Sequence, residues 1–234
     1  MKNTVIIGAG NGIGLASVRA LSPMHHVTAV TRRNSQKLNE TGVNIILLDV
    51  VNDPPDILEE LPDVIHGLVY CPGSINLRPF SRLTDEDFLA DFRQNVLGAV
   101  GVIQKLLTRL KKARGSSIVL FSTVASGVGM PYHSSIAASK SAVEGLAKSL
   151  AAEFAQSRIR VNVIAPSLSD TGLAEPLLNT PEKREASAKR HPLKGIGDPE
   201  KIAGLVKFLI EDQSDWITGQ VIGVDGGLGS LRGL

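Results

Sequence analysis

The stretch NTVIIGAGNGIGLASVRAL, Asn3 to Leu21, joins an apolar run, a cluster of glycines and a segment in helical register. Val5, Ile6 and Ile7 are apolar in succession, which suits a strand covered on both faces. A strand that turns at once into a helix opens a βα unit. Glycines at such a turn let the backbone approach a pyrophosphate, whose charge is met by amide N–H groups and the helix N-terminus. The spacing G-x-G-x-x-G fails here because position 13 is Ile. The spacing G-x-x-x-G-x-G fits through Gly8, Gly12 and Gly14, with Asn11 and Ile13 between them.

Working outward, six more strand-like runs recur: residues 26–31, 44–49, 66–71, 116–122, 159–165 and 219–224. Several are nearly continuous Val, Ile and Leu, and helical patterns fill the intervals. The expected fold is α/β, a doubly wound parallel sheet of about seven strands with helices on both faces. No linker-like run splits the chain, so residues 1–234 are read as one domain. The longest helical pattern follows Thr84, which with Asp87 three residues later resembles a capping box. Residues 166–200 hold the densest turn signals and the weakest periodicity, and are read as a mobile loop over a site.

A hydrophobic share of 43% with 21% charged residues gives enough apolar surface for a substantial core. Met1 leads directly into the first strand, which leaves no room for a signal segment. No apolar stretch approaches the roughly 20 residues needed to cross a bilayer. A single cysteine, Cys71, permits no internal disulfide and is read as a buried small side chain; the cytoplasm is the expected compartment. Net charge is +2, the basic residues are scattered among acids, and no zinc spacing, stacking pattern or basic stripe points to nucleic acid.

Taken with five further features, the glycine spacing resembles the short-chain dehydrogenase/reductase family. Asp49 and Val50 follow the third strand, Gly73 lies in a turn after the fourth, and Asn95 lies in QNVLGAV. VNVIAPSLSDT contributes Pro166 and Thr171, and ITGQVIGVDGG resembles the family's last strand. The resemblance covers essentially the whole chain. It implies a nicotinamide dinucleotide at the carboxyl ends of the strands and hydride transfer to or from a small carbonyl, enone or alcohol. By the same resemblance Asp49 lies near the adenine, and Pro166 and Thr171 lie beside the nicotinamide. Asn95 holds a water next to the active lysine, and the helix SAVEGLAKSLAAEFAQ pairs across a two-fold axis in a homodimer or homotetramer.

An NAD site of this kind needs an acid at the end of the second strand. Between Gly14 and Glu40 there is none; Thr31, Arg32 and Arg33 stand there instead. Arginine meets a 2′-phosphate with charge-assisted, often bidentate bonds, so the expected cofactor is NADP.

The family's catalytic serine, tyrosine and lysine map to Thr123, Ile136 and Lys140. Thr123 keeps a hydroxyl, whereas Ile136 keeps nothing that exchanges a proton. Three readings stay open. The proton donor has moved, with Tyr132 and His133 as the first candidates beside Ser122, Ser134 and Ser135. Alternatively, the substrate needs little enzyme-supplied acid, or the protein binds NADP as a regulatory or interaction protein without turnover. The usual Pro-Gly after the sixth strand reads Pro166-Ser167.

Overall fold

The computed structural model describes residues 1–53 and 55–231. All seven expected runs are strands: β1 (Lys2–Ile7), β2 (His25–Thr31), β3 (Asn44–Leu47), β4 (Gly67–Tyr70), β5 (Ser116–Phe121), β6 (Ile159–Pro166) and β7 (Val221–Val224). They form one parallel sheet in the order β3-β2-β1-β4-β5-β6-β7. The chain runs outward from β1 to β3, returns beside β1 with β4, and then runs outward the other way. That reversal leaves a crevice at the carboxyl ends of β1 and β4, the position where open α/β sheets bind ligands.

Helices α1 (Gly12–Leu21) and α8 (Pro199–Ile210) pack on one face of the sheet, and α4 (Gly98–Lys112) and α5 (Ser134–Phe154) on the other. The alternation along β1 explains why its apolar run is unbroken. Val5 and Ile7 face the core of α4 and α5, while Ile6 faces Leu15, Val18 and Ile202 of α1 and α8. The smaller helices are α2 (Gln36–Asn39), α3 (Asp85–Phe92), α6 (Glu175–Leu178) and α7 (Pro181–Lys189).

Two features depart from the sequence pattern. The long helical run begins at the expected capping box of Thr84 and Asp87, but a π-helical turn over Arg93–Leu97 separates α3 from α4. Tyr70 explains the irregularity locally: its hydroxyl donates to the Gln94 carbonyl at 2.6 Å, and a Cβ on Gly98 would sit 2.3 Å from that hydroxyl oxygen. Residues 166–200, read as a loop, contain α6 and α7. The Thr180 side chain accepts from the Lys183 amide, and Pro181 opens α7. That helix exposes most of its length, so it shows no apolar stripe by which to recognise it.

The junction of β1 and α1 is the tightest place in the fold. A Cβ on Gly14 would lie 2.2 Å from the Gly8 carbonyl oxygen, and the obstacle is backbone. Gly14→Ala should therefore push α1 off β1 and destabilise the chain by about 1–3 kcal/mol, the cost of overpacking a close contact. Urea denaturation measures it, and an unchanged midpoint would contradict the packing described.

Candidate active site

A cavity of about 330 Å³ opens at the carboxyl ends of the central strands. Ile13 of α1, Gly73 after β4 and Thr123 after β5 line it. So do Ile136 and Lys140 of α5, and Pro166 and Thr171 after β6. Its remaining wall is largely apolar, with Ile75, Leu77, Met130, Leu168, Leu173 and Leu177.

The glycine turn adjoins this cavity. Gly8 (φ 79°) and Gly12 (φ 52°) occupy the left-handed region that glycine tolerates. A Cβ on Gly8 would lie 3.0 Å from Pro72, and one on Gly12 would lie 3.1 Å from Thr171, so the segment after β6 reaches over the turn. Asn11 is exposed at the N-cap of α1, whose first turn carries no acid. Such a cradle fits an anionic group at the helix N-terminus.

Beside it lies the end of β2. The Thr31 hydroxyl donates to the Arg33 carbonyl at 3.0 Å, and the Ser35 hydroxyl donates to the Gly10 carbonyl at 3.1 Å. Arg32 and Arg33 are both exposed there. Burial pushes the Asp49 carboxyl up, but the Val51 amide, the Asn52 side chain and the Arg32 charge together hold it below its ordinary value. Val50 packs near Gly98, at the start of α4. Thr31, Arg32, Arg33, Asp49 and Val50 are therefore not brought to the cavity; they lie along the sheet edge from it.

Lys140 is 7% exposed, and its Nζ donates to the Phe121 carbonyl at 2.9 Å. Burial lowers its pKa to about 8, against the opposing influence of Cys71 and Asp91. A Cβ on Gly73 would lie 3.5 Å from Lys140 Nζ and 3.6 Å from Asn95 Oδ1, so these three residues converge. Asn95 Nδ2 donates to the Asp91 carbonyl at 2.7 Å and to Ser74 Oγ at 3.3 Å. Its Oδ1 is buried without a partner among the described residues, an acceptor in place for a donor at the site.

The candidate donors separate. His133 lines the cavity, with Nδ1 donating to the Pro131 carbonyl at 2.6 Å. Tyr132 does not line it: the residue adopts φ 68°, its carbonyl accepts from Arg78, and its side chain is 58% exposed. The turn into α5 thus leaves the phenol largely exposed and outside the cavity lining, unlike His133. Ser122 Oγ donates to Glu144 Oε1 at 2.5 Å, a bond that commits its hydrogen. Thr123 Oγ1 accepts from the Ala125 amide at 3.3 Å, leaving its hydroxyl hydrogen for another partner.

Three polar arrangements have no counterpart in the sequence reading. Asp91 is buried and accepts from Ser74 Oγ (2.5 Å) and Ser135 Oγ (2.6 Å). Its i, i+4 spacing to Asn95 on a core-facing helix is the signal that could have found it. Glu144 accepts from both Ser122 and Ser126, and stands at the same spacing from Lys140. The third is Ser167 with His191, which come together across 24 residues and had no local signal.

Comparisons with known proteins show what the chain as a whole is similar to. A family model described as Enoyl-(Acyl carrier protein) reductase matches residues 8–229. The 3-oxoacyl-[acyl-carrier-protein] reductase FabG of Thermotoga maritima is 42% identical over 148 residues, 63% of this chain and 59% of that protein. The 3-oxoacyl-[acyl-carrier-protein] reductase MabA of Mycobacterium bovis is 30% identical over 97% of this chain and 93% of its own length. A short-chain type dehydrogenase/reductase from Mycobacterium ulcerans superposes with a TM-score of 0.90 at 28% identity, covering 99% of this chain and 91% of that one.

The buried lysine has a measurable consequence. Its folded pKa of about 8 lies below the 10.5 of an ordinary lysine, so between those values the unfolded chain holds more protons. The contribution of Lys140 to stability therefore rises as pH increases through that window. Unfolding free energies of the ligand-free wild type and Lys140→Met, measured in urea from pH 8 to 10, should shift in favour of wild type, by about 3 kcal/mol at most. Parallel curves would contradict the buried cation.

Proposed function

The chain belongs to the short-chain dehydrogenase/reductase family and is a short-chain oxidoreductase; on that premise we propose that it uses NADP to reduce or oxidise a small carbonyl, enone or alcohol. The observation that carries the cofactor choice is the pair Arg32 and Arg33 at the end of β2, tied beside the glycine turn through Ser35 and Gly10, with no acid between Gly14 and Glu40.

In this reading residues 1–234 act as one dinucleotide-binding and catalytic unit. Gly8, Asn11, Gly12, Ile13 and Gly14 receive the pyrophosphate with the N-terminus of α1. Thr31, Arg32 and Arg33 take the 2′-phosphate, Asp49 and Val50 flank the adenine, and Gly73 leaves room at the ribose. Lys140 binds the ribose hydroxyls, supported by Asn95, while Pro166 and Thr171 hold the ring carboxamide side. Bound there, the nicotinamide supplies or accepts the hydride. Thr123 donates its hydroxyl hydrogen to the substrate carbonyl oxygen and polarises it. His133 and Ile136 contribute to the wall around the reacting carbon. Because Ile136 has no exchangeable proton, the proton for that oxygen comes from another hydroxyl or imidazole of the cavity wall.

The apolar wall fits a substrate with a hydrocarbon body, and relatives named as 3-oxoacyl reductases are in keeping with a ketone. A reducing compartment, the cytoplasm, fits the single cysteine, whose thiol burial pushes up to about 12 and so keeps protonated. Assembly through α4 and α5 into a homodimer or homotetramer completes the proposal. Light scattering at micromolar concentration should give twice or four times the chain mass; the monomer mass would rule the assembly out.

The cofactor proposal is tested by fluorescence titration. A charge-assisted bond to a phosphate contributes about 1.5–3 kcal/mol, so NADPH should bind at least about tenfold more tightly than NADH. Arg32→Ala should remove most of that preference and leave NADH affinity unchanged. Equal affinities in the wild type would defeat the NADP assignment.

A further inference from the structure

Two histidines line the cavity, and one of them holds a hydroxyl that lines it as well. His191 follows α7 and is 3% exposed. Its Nδ1 lies 3.0 Å from the Ser187 carbonyl oxygen, which can only accept, so the neutral ring keeps its hydrogen on Nδ1. Nε2 therefore faces Ser167 Oγ at 2.9 Å as an acceptor. Both partners are fixed in place: the Ser167 amide donates to the Val224 carbonyl at 3.3 Å, and a Cβ on Gly226 would lie 3.3 Å from His191 Cβ.

We propose that Ser167 and His191 form the proton relay of this cavity. The inference rests on the oxidoreductase reading above. In the reducing direction the carbonyl carbon receives an electron pair as hydride from the reduced dinucleotide, forming a C–H bond as the C=O π bond breaks. The substrate oxygen then takes the Ser167 Oγ hydrogen. For this the resting bond must turn round: Nε2 takes up a proton from solvent and donates to Ser167 Oγ, and as the substrate oxygen takes the Ser167 hydrogen, Ser167 Oγ takes that proton and the ring is left neutral, as it began. Ser167 touches the substrate oxygen and is the catalytic residue; His191 acts through it.

Other hydroxyls of the wall are worse sources. Ser74 gives its hydrogen to Asp91 and Ser122 gives its hydrogen to Glu144, both at 2.5 Å. Asp91 is engaged as an acceptor, taking hydrogen bonds from the Ser74 and Ser135 hydroxyls. His133 holds its Nδ1 hydrogen on Pro131 and has no wall hydroxyl in its hydrogen bonds among the described residues. The charged groups around His191 are Lys140 and Arg190, which line the same cavity, and Asp225, next to Gly226, whose carboxylate accepts from the Gly227 and Gly229 amides.

Full-length wild type, Ser167→Ala, His191→Gln and the double variant are compared for NADPH affinity, melting temperature and turnover of a panel of small ketones, diketones, enones and quinones. Each single variant should lose at least about tenfold in kcat, with NADPH affinity within about twofold and a cooperative melt still present at a somewhat lower temperature, since a positioned acid contributes about 10²- to 10⁴-fold and the partner left behind is buried and unpaired. The double variant should lose no more than the worse single one, because both act in one relay. The kcat–pH profile of His191→Gln should differ in shape from that of the wild type. In the ligand-free protein, ¹⁵N NMR should find the neutral His191 ring protonated on Nδ1, and Ser167→Ala should move the Nε2 resonance. Neutral His191 protonated on Nε2, or undiminished kcat in both single variants, overturns the relay and leaves the oxidoreductase reading standing. Loss in His133→Phe without loss in His191→Gln does the same. NADPH bound by wild type with no turnover of any panel member overturns the oxidoreductase reading itself, and the relay with it.

Discussion

The contact between the Gly14 Cα and the Gly8 carbonyl is the constraint on which the rest of the molecule depends. No side chain larger than hydrogen fits between them. Because α1 can lie that close to the end of β1, its first amides point into the crevice left where β4 returns beside β1. The same closeness lets Pro72 touch Gly8 and Thr171 touch Gly12, so the segments after β4 and β6 converge on one point. Three strands thus deliver their ends to a single cavity, where Thr123 after β5, Asn95 of the π turn, Lys140 of α5 and His191 after α7 join them.

Lys140 sets the electrostatics of that cavity. An ammonium group buried against the sheet is costly unless it has partners, and here it has the Phe121 carbonyl and the field of Asp91. Ile136, one helical turn earlier, deepens the desolvation, since its branched side chain offers no dipole. Asp91 and its two serine donors occupy the flank of the lysine, and the carboxylate sustains the cation that the apolar wall disfavours.

How much of this was legible follows from the range over which each interaction acts. The seven strands declare themselves because β-branched runs covered on both faces are continuous, and the Thr84 cap does so because its partner is three residues away. The glycine spacing is local as well. The π turn at Asn95 was hidden because its cause, the Tyr70 hydroxyl, arrives from β4. The separation of Tyr132 from His133 depends on one residue with positive φ, which a count of spacing to Lys140 does not reveal. α6 and α7 were hidden for other reasons: the four residues of α6 are too few to show a period, and the exposed, charged α7 carries no apolar stripe.

Ser167 and His191 show the same limit at the chemistry. Each alone reads as ordinary, a serine after a strand and a histidine before a proline. A hydroxyl and an imidazole in an apolar wall are both unfavourable when unpaired, and each removes the other's deficit through the bond at 2.9 Å. The Ser187 carbonyl then settles which nitrogen carries the hydrogen, so the pair has a direction as well as a partner. What the reaction requires is an exchangeable hydrogen held on a rigid support within the cavity that also holds Thr123 and Lys140, and the end of β6 provides that support.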